Sequence, residues 1–232
     1  MRIFWLLMLL AGAVQAQVAS LPAMRAGQVS VSGLSSGAYM AVQFEVAFVY
    51  RRNLNAEHAM PTDSYGNSCQ SLRSPYINYC NYGAAGELLS WIYGPLDARN
   101  TGALRGRFIA FDQSEFISLP GWHGLADFGY LYIPQACGVN AGAGCRLHVV
   151  FHGCQQNPDS IGADFVRHAG YNAWADNNRL LLLYPQTAAT FTNPNACWDW
   201  FAHDDTRYAQ KTGRQMAAVK RMVDRLTGAT PP

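Results

Sequence analysis

Residues 28 to 40 read QVSVSGLSSGAYM. Gln28 to Ser32 alternate apolar and polar residues as a strand does, and Ala38 to Tyr50 carry the pattern of a helix. Between them, Gly33-Leu34-Ser35-Ser36-Gly37 satisfies G-x-S-x-G, in which a serine rides a sharp strand-to-helix turn. Flanking glycines relieve crowding at such a turn, and the helix N-terminus behind it favours developing negative charge. Ser35 is therefore the candidate nucleophile, and the Ser36 backbone N–H a candidate oxyanion donor. The turn comes early in a chain of 232 residues, so its partners must lie downstream.

The second signal is LHVVFHGCQQ, Leu147 to Gln156. An apolar strand ending in His-Gly has the form of the loop that supplies the other oxyanion N–H in lipases and esterases. Two converging amides stabilise a tetrahedral intermediate, which makes the Cys154 amide the second donor. His152 has a loop-shaping role on this reading. His148 and His152 share a strand face as metal-ligand candidates, but no acidic third ligand lies nearby.

A general base must come from six histidines. His58 follows Ser35 in chain order and sits in a loop, where such a base is usually carried. His123, His168 and His203 fall in a Gly-rich loop, a helix and an acidic loop. The third member is the difficulty, because hydrolases of this kind run Ser, then Asp or Glu, then His. Only 22 residues separate Ser35 from His58, and none is an aspartate. Glu45 points away along the helix, and Glu57 would have to fold back on its neighbour. Asp63, Asp112 and Asp127 come after the histidine. A further strand-helix-strand crossover needs about 30 residues and does not fit in the gap.

The frame around these motifs is an α/β domain. MRIFWLLMLLAGAVQA (1–16) reads as a secretory signal peptide, and its apolar run of about 11 residues is too short for a bilayer that needs roughly 20. Residues 17–232 then form a single catalytic domain, expected to be a monomer. Net charge is +2 with 14% charged residues, scattered, which excludes a nucleic-acid partner or a polybasic membrane patch. Strands are expected at 107–112, 130–134, 145–151 and 180–184, and helices at 84–93, 161–177 and 212–226. Residues 53–86 read as loop. This alternation implies a parallel sheet with helices on both faces. Six cysteines in an oxidising compartment suggest disulfides, with 15 connectivities open. The close pairs Cys69/Cys80 and Cys137/Cys145 would clip short loops, leaving Cys154 to meet Cys197.

Taken together, GLSSGAYMAVQF, HAMPTD, SPYIN, AAGELLSWIYG, CRLHVVFHGCQQ, FVRHAGYNAWAD and NPNACWDWF are a specific set. The chain resembles the single-domain, circularly permuted poly(3-hydroxybutyrate) depolymerases, secreted esterases of the α/β-hydrolase fold. The resemblance covers residues 28 to about 48 and nearly everything from His58 to Leu226. It implies Ser35 as nucleophile, His58 as general base, and the Ser36 and Cys154 amides as oxyanion hole. It also agrees with a Cys154–Cys197 disulfide, and makes Trp198 and Trp200 the aromatic wall of a substrate crevice. The implied substrate is a polyester or small ester, the location extracellular or periplasmic, and no metal or organic cofactor is needed. One stretch departs from the family. Its members carry a long segment, including the triad aspartate, where this chain has only VYRRNLNAE (49–57). An internal deletion with missing sheet strands is implied, and with it weak activity. The alternatives are a catalytically silent, polymer-binding secreted protein, or a feruloyl or acetyl-xylan esterase.

Overall fold

The apolar runs RLHVVF and LLLLY lie side by side at the middle of a five-stranded sheet. The computed structural model describes residues 18–44, 54–117, 124–138 and 144–229. The signal peptide, Glu45, the end of helix 38–50 and His123 lie outside them. In chain order the elements begin with β1 (Val29–Gly33), α1 (Ser36–Phe44), β2 (Met60–Thr62), β3 (Asn67–Ser68), β4 (Ile77–Tyr79) and α2 (Ala84–Tyr93). They continue with β5 (Arg107–Asp112), β6 (Phe128–Ile133), β7 (Arg146–Phe151), α3 (Pro158–Ile161), α4 (Asp164–His168), α5 (Tyr171–Asn178), β8 (Leu180–Tyr184) and α6 (Arg214–Thr227).

The large sheet has the order β1-β7-β8-β6-β5. β1, β7 and β8 are parallel, whereas β6 and β5 join antiparallel, so the sheet is mixed and not wholly parallel. Side chains alternate between two cores. Val31, Leu147, Val149, Phe151, Leu181 and Leu183 pack with α1 and α6 on one face. Val150, Leu180, Leu182 and Tyr184 pack with α2, α4 and α5 on the other. Cover on both faces is why β7 and β8 read as continuous apolar runs. Each fully buried aliphatic side chain there contributes about 1.5–3 kcal/mol.

Two expectations are corrected. The helix at 161–177 is three short helices, because Gly162 (φ 58°) and Gly170 (φ 92°) take left-handed conformations that end one piece before the next begins. The stretch 53–86, read as loop, holds a small parallel sheet of order β2-β4-β3. The Cys69–Cys80 disulfide and two hydrogen bonds from the Asn78 amide, to Cys69 O and Ser71 O, tie it together.

The last helix returns to the strand that bears the turn. Met24 N–H donates to Arg225 O (3.2 Å) and Ala26 N–H to Leu226 O (2.9 Å), so α6 ends beside the entrance to β1.

Candidate active site

Ser35 sits just past the end of β1, with φ at 53°. That is a strained setting for a residue with a side chain, and it turns the hydroxyl out of the sheet. The flanking glycines have a steric reason to be there. A Cβ on Gly33 would come within 2.0 Å of Gly37 O, and one on Gly37 within 2.3 Å of His152 O. The turn closes with Gly37 N–H on Leu34 O (2.8 Å) and Ala38 N–H on Ser35 O (2.9 Å).

Pairing of Gly33 with Phe151 brings the HGCQQ loop beneath this turn, and a Cβ on Gly153 would lie 3.4 Å from that of Ser35. Ser36 is buried. Its hydroxyl accepts the Trp198 N–H at 3.1 Å and lies 3.4 Å from Cys154 Sγ. Cys154 is joined to Cys197, and with Cys69–Cys80 and Cys137–Cys145 all six cysteines are paired. Neither the Ser36 nor the Cys154 N–H is taken by an acceptor among the described residues. Two free amides beside a strained serine can hold an oxyanion.

His152 shapes this loop. Its Nδ1–H donates to Gly153 O at 2.7 Å, and its Nε2 accepts the Thr187 N–H at 3.2 Å. Burial pushes its pKa down to about 4, against the opposing pull of the Gly153 carbonyl, so the imidazole is neutral at ordinary pH. His148 is also fully buried, with hydroxyls of Ser30 and Ser32 at 2.6 and 2.9 Å from its ring nitrogens, and burial lowers its pKa to about 3. Both are packing residues. Among the described residues, no group of three or more His, Cys, Asp or Glu side chains could hold a metal ion.

Of the described imidazoles, His58 lines a cavity together with Ser35. That cavity, of about 240 Å³, is bounded also by Leu72, Tyr76, Gly153 and Gln155. His58 is exposed in the loop before β2, and no hydrogen bond joins it to Ser35 in this structure. His168 instead stacks on Tyr65 with ring centroids 3.9 Å apart, and His203 lies 3.8 Å from Asp199.

No described carboxylate is bonded to His58. Asp63 is held by Arg99 at 2.8 Å. Asp112 accepts the Ser114 N–H at 2.8 Å at the far end of the strand order, and Asp127 precedes β6 on that same side. Glu57 is exposed.

A second cavity, of about 280 Å³, opens on the other side of Ser35, between Ser36, Cys154, Asn193, Trp200 and Phe201. Trp200 (41% exposed) and Phe201 (50%) form its aromatic wall. Trp198 does not. It is fully buried, packed edge-on against Phe151 with its Nε1–H on His152 O (3.1 Å), and so braces the loop from behind. Sequence reasoning passed over Phe201, Leu72, Tyr76 and the glutamines of GCQQ. Their signal lay within quoted motifs, but only tertiary contact shows which of them reach the cavities.

No protein-family model matches the chain. It is 49% identical over 189 residues to a poly(3-hydroxybutyrate) depolymerase of Delftia acidovorans, over 79% of this chain and 37% of that protein. To a polyhydroxybutyrate depolymerase of Talaromyces funiculosus it is 45% identical over 184 residues, over 73% of this chain and 53% of that protein. The chain thus spans between a third and a little over half the length of these relatives. Among solved structures, it is similar to the crystal structure of PHB depolymerase from Penicillium funiculosum, with a TM-score of 0.83 and 31% identity over 91% of this chain and 100% of that one. It is similar also to a PHB depolymerase variant complexed with an R3HB trimer, with a TM-score of 0.81, 31% identity and the same coverage.

Proposed function

The chain belongs to the poly(3-hydroxybutyrate) depolymerase family, and from that premise we propose that it is a serine ester hydrolase acting on poly(3-hydroxybutyrate) or related short-chain hydroxyalkanoate esters. One observation carries the chemistry: a serine held at positive φ beside two backbone amides that have no acceptor among the described residues. In this mechanism Ser35 Oγ attacks the ester carbonyl carbon while His58 takes its proton. The oxyanion is met by the Ser36 and Cys154 amides, and the tetrahedral intermediate collapses to an acyl-enzyme. The leaving alkoxide departs with the proton from His58, and a water activated by the same imidazole releases the acid. The relatives' names, and a neighbour's complex with an R3HB trimer, support a polyester over a sugar ester.

The proposal extends to the rest of the frame. Contact between the end of α6 and residues 24–26 supports a circularly permuted α/β-hydrolase fold, since a chain cut elsewhere could run from α6 into β1. An internal deletion between α1 and His58, with strands missing beyond β1, accounts for a nucleophile strand at one end of the strand order. Three disulfides support a secreted protein, and the proposal takes residues 17–232 as one catalytic domain and a monomer.

Activity is expected to be weak. A catalytic histidine without its acid loses about 10⁴ in turnover in a worked serine protease, and His58 has no carboxylate among the described residues. The same observation supports a second reading, a silent polymer-binding protein. Purified protein is expected to hydrolyse p-nitrophenyl butyrate slowly and to be labelled by a fluorophosphonate, both abolished in Ser35→Ala. Unlabelled protein would decide for the silent reading, and hydrolysis that survives Ser35→Ala would remove the site altogether.

A further inference from the structure

Gln156 is 1% exposed and lies between the oxyanion loop and the segment that carries His58. Its Oε1 accepts the Gly153 N–H at 2.8 Å. Its Nε2 donates to Tyr76 O at 2.9 Å and to Pro75 O at 3.2 Å. Tyr76 O accepts in addition the Met60 N–H at 2.8 Å, and Met60 stands two residues after His58. On the other side, the Gly153–Cys154 peptide has its carbonyl held by His152 at 2.7 Å, which aims its N–H, the Cys154 amide, the opposite way. A single buried amide therefore spans the two parts of the site that come from different sheets.

We propose that Gln156 is a positioning residue, setting the separation between the Cys154 amide and the His58 imidazole on either side of Ser35. The inference deepens the esterase reading and rests on it. The chemistry demands an amide here. One end must receive an N–H and the other must give hydrogens to two carbonyls, whereas a carboxylate of the same shape has no hydrogen to give. Among the described residues, the one other side-chain bond between these loops is exposed, Tyr76 O–H to Gln155 Oε1 at 3.1 Å. Gln156 touches no reacting atom and acts through geometry, so its loss should fall on the transition state and leave ground-state binding nearly alone.

Steady-state hydrolysis of p-nitrophenyl butyrate by wild type, Ser35→Ala, Gln156→Ala and Gln156→Glu tests this, with rates referred to folded, disulfide-intact protein. Gln156→Ala should lower kcat about 10- to 100-fold with KM within about threefold, the scale of an ångström of misplacement. Gln156→Glu should also be slow at pH 8. Its rate relative to wild type should rise toward pH 6, because burial raises a carboxyl pKa and the protonated form regains one donor for Tyr76 O. This isosteric variant serves where the alanine one does not fold. Two outcomes overturn the positioning role alone: Gln156→Ala with kcat within about twofold of an active wild type, or a loss that follows only the folded fraction. A wild type without Ser35-dependent hydrolysis overturns the esterase reading, and the positioning role with it.

Discussion

Ser35 stands between two walls of unequal construction. The oxyanion wall grows out of β7, which is buried at every position after Arg146, and its loop is fastened by His152, Gln156, Trp198 and the Cys154–Cys197 disulfide. The base wall is carried on the small sheet, on strands of two or three residues, and presents His58 to solvent without a partner among the described residues. Stabilising an anion with backbone amides requires rigid placement, and the protein core can supply it at no further cost to the fold. Orienting an imidazole requires a second polar group behind it, which must come from another segment. The proposed internal deletion would therefore damage the second wall and spare the first.

The largest expected effect falls on the oxyanion wall. Gly37→Ala would place a methyl 2.3 Å from His152 O and 2.6 Å from Phe151 O, both backbone atoms that cannot swing aside. Either β1 and β7 separate or the turn opens. The variant should lose more than about 4 kcal/mol, enough to prevent folding in a marginally stable chain. Circular dichroism and chemical denaturation would measure it. A folded variant of near wild-type stability would mean that the turn does not sit against β7 as described.

The next effect separates the walls by pH. His148 and His152 are buried neutral, with pKa values near 3 and 4 where an exposed histidine has about 6.5. Unfolding exposes imidazoles that take up protons at a pH where the folded ones do not, so stability is full above about pH 6.5 and falls as the pH drops toward 4. By pH 4.5 each should have removed on the order of 2 to 3 kcal/mol. Asp176 belongs to a lower window. Burial alone would raise its carboxyl, but hydrogen bonds from Tyr132, Arg105 and Asn100 hold it below the usual range, so its contribution is lost only as the pH falls through about 4 and below. Urea midpoints at pH 7 and 4.5 check the first window, and His148→Gln should roughly halve its slope. An unchanged slope would place the loss elsewhere.

The same contrast governs what the sequence could reveal. The turn was legible because its demands are local: two glycines, a serine, a strand before and a helix after. RLHVVF and LLLLY were legible because a strand covered on both faces needs apolar residues throughout. The antiparallel entry of β6 and β5 left no local trace, since 128–133 would look the same in either direction. The small sheet was hidden because two or three residues show no period, and its cohesion comes from Asn78 and a disulfide. Trp198 and Trp200 lie two residues apart in irregular chain, where no periodicity says which one faces inward. Gln156 reads as one more polar residue until Pro75 and Tyr76 are seen beside it.

The smallest effect bears most directly on the base wall. Asp63 follows His58 by five residues and is the nearest aspartate after it in the sequence, so it is the natural substitute for a missing acid. In the structure its carboxylate is occupied by Arg99, 2.8 Å away, with each side chain about a third exposed (30% and 35%). A pair this open to water is worth about 0–1 kcal/mol. Asp63→Asn should therefore shift the thermal midpoint by only a few degrees, as 1 kcal/mol does in a domain of this size. It should leave kcat on p-nitrophenyl butyrate within about twofold, because an aspartate that does not orient the base contributes nothing to remove. If kcat instead fell by about 10³ or more, the loss expected when an acid leaves its histidine, Asp63 would be serving His58 in the active protein. The base wall would then be complete, and the two halves of the site would be equals after all.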